Sequence, residues 1–319
     1  MKPAGVALLA ACALAAPLAL ADYQLVFAAE ILVWGLFALS FGLVYGFGGM
    51  LSFAQALYFG MGCYGFNVAT YKYALGTWSA LGMGVAAAIL FAIPTGYIAT
   101  RVRRHHFLIV TVILSVLTSA TLASGHWRWI AGPYVTRSLP FVPSVSLGPW
   151  EFSFGSEAFS FYFTAAMVAA AVWLAWRLVS SPFGRALAAI RDNEARAALV
   201  GLNVNLLRWL MFTFAAGIAG LAGTLYVLLA RYTNLEFFDW TYSGKAVVAA
   251  ILGGASSLAG PFAGMAFYLA TTEYLSRYMQ QVAVAFGLLL LIVVRFAPEG
   301  IYVACARRLR EALERRRGR

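Results

Sequence analysis

Long apolar runs alternate with short polar stretches along the whole chain. They lie at about residues 4–21, 25–47, 52–71, 79–100, 107–124, 158–176, 209–230, 242–256, 258–276 and 280–297. Most approach the roughly 20 residues that a helix needs to cross a bilayer. The pattern predicts an all-α fold, a polytopic transmembrane bundle of about ten spans in one domain over residues 1–319, and eight or nine spans also fit. Broken or re-entrant helices are expected near the two Gly-Gly segments.

Composition and charge agree with a membrane protein. Hydrophobic residues make up 62% of the chain and charged residues 11%, whereas soluble domains carry about 25% charged residues. The net charge of +11 would suggest nucleic acid in a soluble protein, but here it indicates cytoplasmic anchoring. With the N-terminus inside, most lysines and arginines fall on the cytoplasmic side. This orientation predicts an outer loop at 125–157, a cytoplasmic loop at 180–206 and a basic cytoplasmic tail at 306–319.

The N-terminal run has two interpretations. Lys2, an apolar core and Ala19-Leu20-Ala21 before Asp22 are typical of a cleaved signal peptide. The same residues also fit a first transmembrane helix that is retained. We favour the retained helix, because the next apolar run follows directly.

Signals of catalysis are weak in this sequence. The chain has twelve acidic residues and three histidines, and the histidines have no partner at the spacing of metal ligands. Gly244-Lys245 lacks the earlier glycine and the following Ser or Thr of a phosphate-binding loop. We therefore predict a protein that is not an enzyme, that holds no metal or cofactor and that has no ATP site of its own.

Glycine marks two similar segments. GGMLSFA at 48–54 aligns with GGASSLA at 253–259. Interrupted apolar segments at matching places in two halves point to the solute route of a transporter, although Gly-Gly equally permits close helix packing. The small residues of 215–223 predict a packing seam, and Glu30, Lys245 and Glu273 are ionisable candidates within spans. The predicted pathway residues are Gly48, Gly49, Ser52, Gln55, Lys245, Gly253, Gly254, Ser257, Gly260 and Pro261.

The cytoplasmic loop contains an amphipathic stretch. SPFGRALAAIRDNE at 181–194 opens with turn residues and continues with a helical pattern. Pro182 suits a first turn, and Gly201 stands where a helix would end. The stretch therefore predicts one helix over 182–200. It would lie on the membrane surface or press into a groove on a cytoplasmic partner.

Several motifs resemble the LivM/LivH family of branched-chain amino acid ABC permeases. SPFGRALAAIRDNEARAALVGLNV, at 181–204, is similar to the family's cytoplasmic coupling segment. Residues 21–65 resemble its opening, and RVRRHHFLIVT at 101–111 resembles its arginine-rich inner turn. FTFAAGIAGLAGTLYV, ILGGASSLAGPFAG and RFAPEGI follow in the family's order. The resemblance covers nearly the whole chain.

The resemblance implies a permease subunit of a bacterial ABC importer in the inner membrane. Its partners would be a second homologous permease, two cytoplasmic ATPases that hydrolyse the ATP, an extracytoplasmic solute-binding protein and membrane lipid, with no nucleic acid. Ala189, Ile190 and Asn193 are expected to face a groove on the ATPase. The predicted coupling residues are Gly184, Arg185, Ala189, Ile190, Arg191, Asp192, Asn193, Glu194 and Gly201.

Departures from the family pattern leave the solute open. They include Gly42, Ala54-Gln55, Lys245 and Ser256, which lie near the predicted pathway. A branched-chain amino acid is one expectation, and urea, an amide or another small polar compound is the alternative. An ion-coupled secondary transporter would require more carboxylates within the spans, and a membrane enzyme would require acid, base or metal clusters.

Overall fold

A computed structural model describes residues 22–102, 104–124, 136–139, 143–147 and 150–278, together with Gly287, Arg295, Gly300 and 302–303. Within these residues the chain folds mainly into helices. Their bounds are α1 Asp22–Gly42, α2 Gln55–Tyr73, α3 Thr77–Thr100, α4 Arg104–Ala123, α5 Glu157–Ser180, α6 Pro182–Asp192, α7 Glu194–Leu199, α8 Val204–Ala230, α9 Trp240–Gly253 and α10 Gly260–Ser276. A π-helical turn, Leu43–Phe47, extends α1, and a 3-10 turn, Leu235–Phe238, precedes α9. The 4–21 run, the tail at 306–319 and nearly all of the 280–297 run lie outside the described residues.

The helices follow the apolar runs closely. The run at 79–100 becomes Thr77–Thr100, and the run at 209–230 becomes Val204–Ala230. Five described segments are long and apolar enough to cross a bilayer, namely Asp22–Phe47, Thr77–Thr100, His106–Ala123, Glu157–Ser180 and Val204–Ala230. The polytopic helical bundle is therefore confirmed, and the prediction of about ten spans stays a prediction.

Among the described residues, four short strands accompany the helices: β1 Thr136–Ser138, β2 Ser144–Leu147, β3 Trp150–Ser153 and β4 Tyr232–Asn234. β2 and β3 form a hairpin, and β1 pairs antiparallel with β4. Three of the strands fall in the stretch predicted as an outer loop, and the fourth directly follows α8. This end of the bundle is called the strand end.

The α6–α7 segment lies at the opposite end of the bundle, because α8 separates it from β4 along 27 residues. Two other elements reach the α6–α7 end, namely the π turn of α1 and the C-terminal part of α3. In α3, the Ile93 carbonyl accepts a hydrogen bond from Trp209 Nε1 at 2.9 Å. The predicted outer loop and the predicted cytoplasmic loop thus lie at opposite ends, as alternating crossings require.

The core forms where α1, α2, α3 and α8 pack together. Small residues of α8 permit close approach: a methyl group placed on Gly223 would lie 2.1 Å from the Phe59 carbonyl oxygen of α2. A methyl group placed on Gly62 of α2 would likewise lie 2.1 Å from the Gly220 carbonyl oxygen of α8. The predicted packing seam at 215–223 is confirmed. Large apolar side chains on α3, α4 and α5 remain exposed, such as Leu90, Ile113 and Leu174, as expected of lipid-facing surfaces.

Candidate coupling site and helix breaks

Helix α6 lies flat against the bundle because its apolar residues recur on one face. Leu187 and Ile190 are completely buried, whereas Arg185 and Ala189 are exposed. Pro182 occupies the first turn, as predicted. Gly184 permits the tight entry from α5, since a methyl group there would lie 2.0 Å from the Val179 carbonyl oxygen.

The segment is two helices, so the prediction of one helix over 182–200 is wrong at Asn193. Asn193 has an extended backbone (φ −157°), and its side-chain oxygen accepts a hydrogen bond from the Arg196 amide at 3.0 Å. An asparagine in this geometry caps a new helix, here α7. The predicted stop at Gly201 is confirmed: its φ is +87°, and the Leu202 amide donates back to the Ala197 carbonyl at 3.2 Å.

Several predicted coupling side chains point elsewhere than expected. Ile190 packs into the bundle, so it does not face a partner groove. Asn193 uses its side chain to cap α7. Arg191 and Glu194, both predicted coupling residues, bond to residues of the bundle. Ala189 keeps the predicted exposed position, and the coupling role of the set stays a prediction.

A half-buried ion pair ties α7 to α8. Arg208 donates from both terminal nitrogens to the two carboxylate oxygens of Glu194, each at 2.8 Å. The Arg208 side chain is 7% exposed and that of Glu194 is 47% exposed. Two parallel bonds of this kind fix orientation as well as distance. Arg208 was absent from the predicted site, although an arginine directly before a long apolar run was a signal.

Arg191 makes the second attachment. Its Nη1 donates to the Gly46 carbonyl in the π turn of α1 at 2.5 Å. Its Nε lies 3.5 Å from Asp192 Oδ1. The α6–α7 segment is therefore connected to the ends of two membrane helices, α1 and α8.

The first predicted helix break is confirmed. After the π turn the chain runs without regular structure until α2 begins at Gln55, and Gly49 has a φ of +67°. Hydroxyl groups of neighbouring helices satisfy the unwound backbone. Thr111 accepts from the Phe53 amide at 3.1 Å, and Ser115 and Ser243 donate to the Phe53 carbonyl at 3.2 and 2.7 Å. Non-helical backbone at membrane depth requires such partners.

Two predicted pathway side chains are buried beside this break. Ser52 Oγ accepts from the Ala54 amide at 3.2 Å, and Gln55 Oε1 accepts from Ser40 Oγ at 3.1 Å. Both Ser52 and Gln55 are fully buried in this structure. Within the described part of the chain, the Gln55 amide nitrogen has no hydrogen-bond partner.

The second predicted break separates α9 from α10. Gly254 has a φ of +103°, a conformation that side-chain-bearing residues rarely adopt. Ser257 Oγ accepts from the amides of Ala259 and Gly260 at 3.3 and 3.2 Å, which satisfies the start of α10. Pro261 then occupies the first turn.

The two breaks meet in the folded chain. A methyl group on Gly46 would lie 1.9 Å from the Ala255 carbonyl oxygen, and one on Gly42 would lie 3.1 Å from the Pro261 ring. Gly300 packs against the backbone of Gly254 from another side. The structure thus brings the predicted pathway segments together, and their meeting point is tightly packed.

The three ionisable candidates lie toward the strand end. Glu30 and Glu273 line one cavity of about 220 Å³ between α1 and α10. Trp34 Nε1 donates to Glu30 at 3.2 Å, and Tyr23 donates its hydroxyl proton to Glu273 at 3.1 Å. Lys245 is half-buried, and its ammonium lies 3.9 Å from the Tyr242 ring centre. It also lies 5.8 Å from the ring centre of Trp34, the residue that donates to Glu30.

Two exposed apolar residues at the tip of α7 were also missing from the predicted site. Leu199 is 86% exposed and Val200 is 77% exposed. Their signal in the sequence is an apolar pair directly before the glycine that ends the helix. The pair was not singled out because 182–200 was expected to form one continuous amphipathic helix.

Comparison with known proteins identifies relatives along most of the chain. The family described as "Branched-chain amino acid transport system / permease component" matches residues 24–297. The high-affinity branched-chain amino acid transport permease LivM of Salmonella typhimurium is 24% identical over 288 residues, covering 85% of this chain and 68% of the relative. LivH of the same organism is 26% identical over 288 residues, covering 84% and 90%.

A more local similarity reaches another import system. The autoinducer 2 import permease LsrC of Salmonella paratyphi B is 32% identical over 96 residues, covering 28% of this chain and 26% of the relative. No solved structure matches the chain.

Proposed function

Because the chain belongs to the branched-chain amino acid transport permease family, we propose that it is the permease subunit of a bacterial ABC importer. It carries a small polar solute across the inner membrane. Its partners are a second homologous permease, two cytoplasmic ATPase subunits and an extracytoplasmic solute-binding protein. ATP is hydrolysed by the ATPase subunits, and this chain contributes the membrane route and the contact that receives their energy.

The α6–α7 segment is the observation that carries this proposal. It is a short helical pair between two spans, attached to the bundle by Arg191 and Arg208. Its tip exposes Leu199 and Val200 almost completely. Two adjacent apolar side chains of such exposure, outside the spans, fit a surface that a partner covers. A rigidly attached segment with an apolar tip is suited to transmit a push from a partner to the helices behind it.

We infer a revised set of residues for the ATPase contact from the exposure of their side chains. Ala189, Leu199 and Val200 are exposed and small or apolar, so we assign them to the contact itself. Arg185 and Asp192 are exposed polar residues that would surround it, where charges set register and specificity more than affinity. Ile190 acts from beneath, by seating α6 on the bundle.

The solute route is assigned to the side of the bundle where the breaks lie. The packed contact between Gly46 and Ala255 would form a closed section of that route. Gln55 begins α2 directly after the first break, and its amide nitrogen has no partner within the described part of the chain. A buried polar group without a partner is costly. We infer that this amide finds its partner when the breaks separate. Toward the strand end, Glu30 and Lys245 offer opposite charges to a solute.

An amino acid of the branched-chain type is the proposed solute. The names of the LivM and LivH relatives support it, and a zwitterion would match the neighbouring Glu30 and Lys245. Urea, an amide or another small polar compound is the second candidate, because LsrC serves autoinducer 2 import and resembles part of this chain.

The test is uptake into proteoliposomes by the full complex of both permeases, both ATPases and the binding protein. We expect radiolabelled leucine to accumulate only with ATP on the ATPase side, with competition by isoleucine and valine. Competition by urea or acetamide alone would shift the solute to the second candidate. Accumulation without ATP, driven by a proton or sodium gradient, would instead identify a secondary transporter.

A further inference from the structure

We propose that Arg191 couples the α6–α7 segment to the break in the first span, so that a movement of α6 displaces the π turn and opens its contact with the second break. The inference rests on the proposed function and assigns a positioning residue within it. The element that responds is the π turn Leu43–Phe47, and the residue that pulls it is Arg191.

The acceptor of this contact lies at a helix end that needs donors. The last carbonyls of a helix have no partner within the helix and carry partial negative charge. Three carbonyls of the π turn find backbone partners further along the break: Leu43 accepts from Gly48, Val44 from Met50 and Tyr45 from Gly49, at 3.0 to 3.2 Å. The Gly46 carbonyl instead receives the guanidinium of Arg191 at 2.5 Å. A cation is the favoured partner at this end of a helix.

The donor moves with α6. Arg191 lies in the last turn of that helix, directly after Ile190, which is buried in the bundle. The Arg191 side chain is 38% exposed and also approaches Asp192, so its contact with Gly46 is held by one strong bond rather than by enclosure. When α6 shifts, this single hydrogen bond can either move the π turn with it or break.

The π turn is tightly packed on the side opposite Arg191. Gly46 faces the Ala255 carbonyl so closely that a methyl group would not fit. Ala255 directly follows Gly254, whose φ of +103° marks the break between α9 and α10. Because packed interiors are barely compressible, a displacement of Gly46 must be passed to Ala255 or must separate the two. Arg191, Gly46 and Ala255 therefore form a continuous chain of contacts from the α6–α7 segment to both breaks.

The π-helical geometry supports a movable element. π turns are rare, occur mostly as single turns within α-helices and are frequent at functional sites. Tyr45 in this turn is exposed, so a probe can be attached there without entering the packed contact. The proposal predicts that the environment of Tyr45 changes with the nucleotide state of the ATPases and that this change requires Arg191.

The experiment uses the full complex in proteoliposomes, in a background free of native cysteines. Spin labels at Tyr45→Cys and at Tyr97→Cys, an exposed residue near the same end of α3, report the distance by pulsed electron paramagnetic resonance. Each sample is measured with and without ATP. Arg191→Met removes the bond, Arg191→Lys keeps the charge, and Arg177→Met is the matched control, an exposed arginine at the end of α5.

We expect ATP to shift the Tyr45–Tyr97 distance in the unmodified complex and in Arg177→Met, and not in Arg191→Met. ATP-driven uptake should fall about tenfold or more in Arg191→Met, the scale of one hydrogen bond to a charged group, while ATP hydrolysis continues. Arg191→Lys should recover part of the uptake.

Two results would overturn the proposal. One is an Arg191→Met complex with normal uptake, and the other is a Tyr45–Tyr97 distance that ignores ATP in an unmodified complex that transports. The second result would refute the proposal even if Arg191→Met fails to assemble, because it is measured on the unmodified complex. Absence of ATP-driven uptake in the unmodified complex would instead contradict the proposed function itself.

Discussion

Removing the carboxylate of Glu194 should loosen α7 selectively. Glu194→Ala deletes both acceptors of the Arg208 guanidinium, which is 7% exposed. Breaking a fully buried pair costs about 3–5 kcal/mol. The Glu194 side chain is 47% exposed, so in the variant water will partly solvate the Arg208 guanidinium that has lost its partner. We therefore expect a cost of about 2 kcal/mol after this screening.

Amide hydrogen exchange measures this cost where it arises. The α7 amides of Ala197 and Val200 bond to the carbonyls of Asn193 and Arg196 at 3.0 and 3.3 Å, and they exchange when α7 opens. A loss of about 2 kcal/mol corresponds to exchange that is about 30-fold faster. The spans should keep their protection, since the pair lies at the end of α8.

Two matched variants make the measurement specific. Asp192→Ala removes a carboxylate that is 73% exposed and 3.5 Å from Arg191, so its effect should stay below about 1 kcal/mol. In Glu194→Ala combined with Arg208→Met, protection should partly return, because no unpaired buried charge remains. Equal acceleration by Glu194→Ala and Asp192→Ala would refute the assignment of the ion pair as the anchor of α7.

Three further predictions concern packing, coupling and topology. Gly46→Ala should lower thermal stability and uptake, because its methyl group would meet the Ala255 carbonyl at 1.9 Å, whereas Gly82→Ala adds a methyl group to open space and should change neither; equal behaviour would exclude a tight contact. Ala189→Glu should abolish ATP-driven uptake without unfolding the bundle, and normal uptake would remove α6 from the ATPase contact. In membranes that hold the permeases without their ATPase subunits, a cysteine at Leu199 should react with an impermeant reagent from the cytoplasm, and one at Ser153 from outside; the reverse would invert the proposed orientation.

Hydropathy alone located the described helices other than α6 and α7, because crossing a bilayer imposes a length and an apolar composition that few other structures share. The helix breaks were also visible, since glycine pairs interrupt two of the apolar runs. The contact between the two breaks at Gly46 and Ala255 could not be predicted, because contact between segments two hundred residues apart depends on how the bundle packs.

The candidate site was predicted less well than the fold. Gly201 correctly predicted a helix end. The end of α6 at Asn193 was not predicted, because Asn193 stands within a continuous helical pattern. Arg208 and Glu194 are 14 residues apart, a spacing that pairs them only after α7 folds back. Ile190 was assigned to a partner because an amphipathic face does not reveal which side the bundle covers.

Site-specific photocrosslinking from Leu199 tests the central claim most directly, namely that the α6–α7 segment is the surface on which the ATPase acts. A photoreactive amino acid replaces Leu199 in the complete complex, and a second complex carries it at Tyr73, which is exposed at the strand end. We predict an adduct with the ATPase subunit from Leu199, with a yield that changes on adding ATP, and no ATPase adduct from Tyr73. The absence of an ATPase adduct from Leu199, in a complex that performs ATP-driven uptake, would contradict the account.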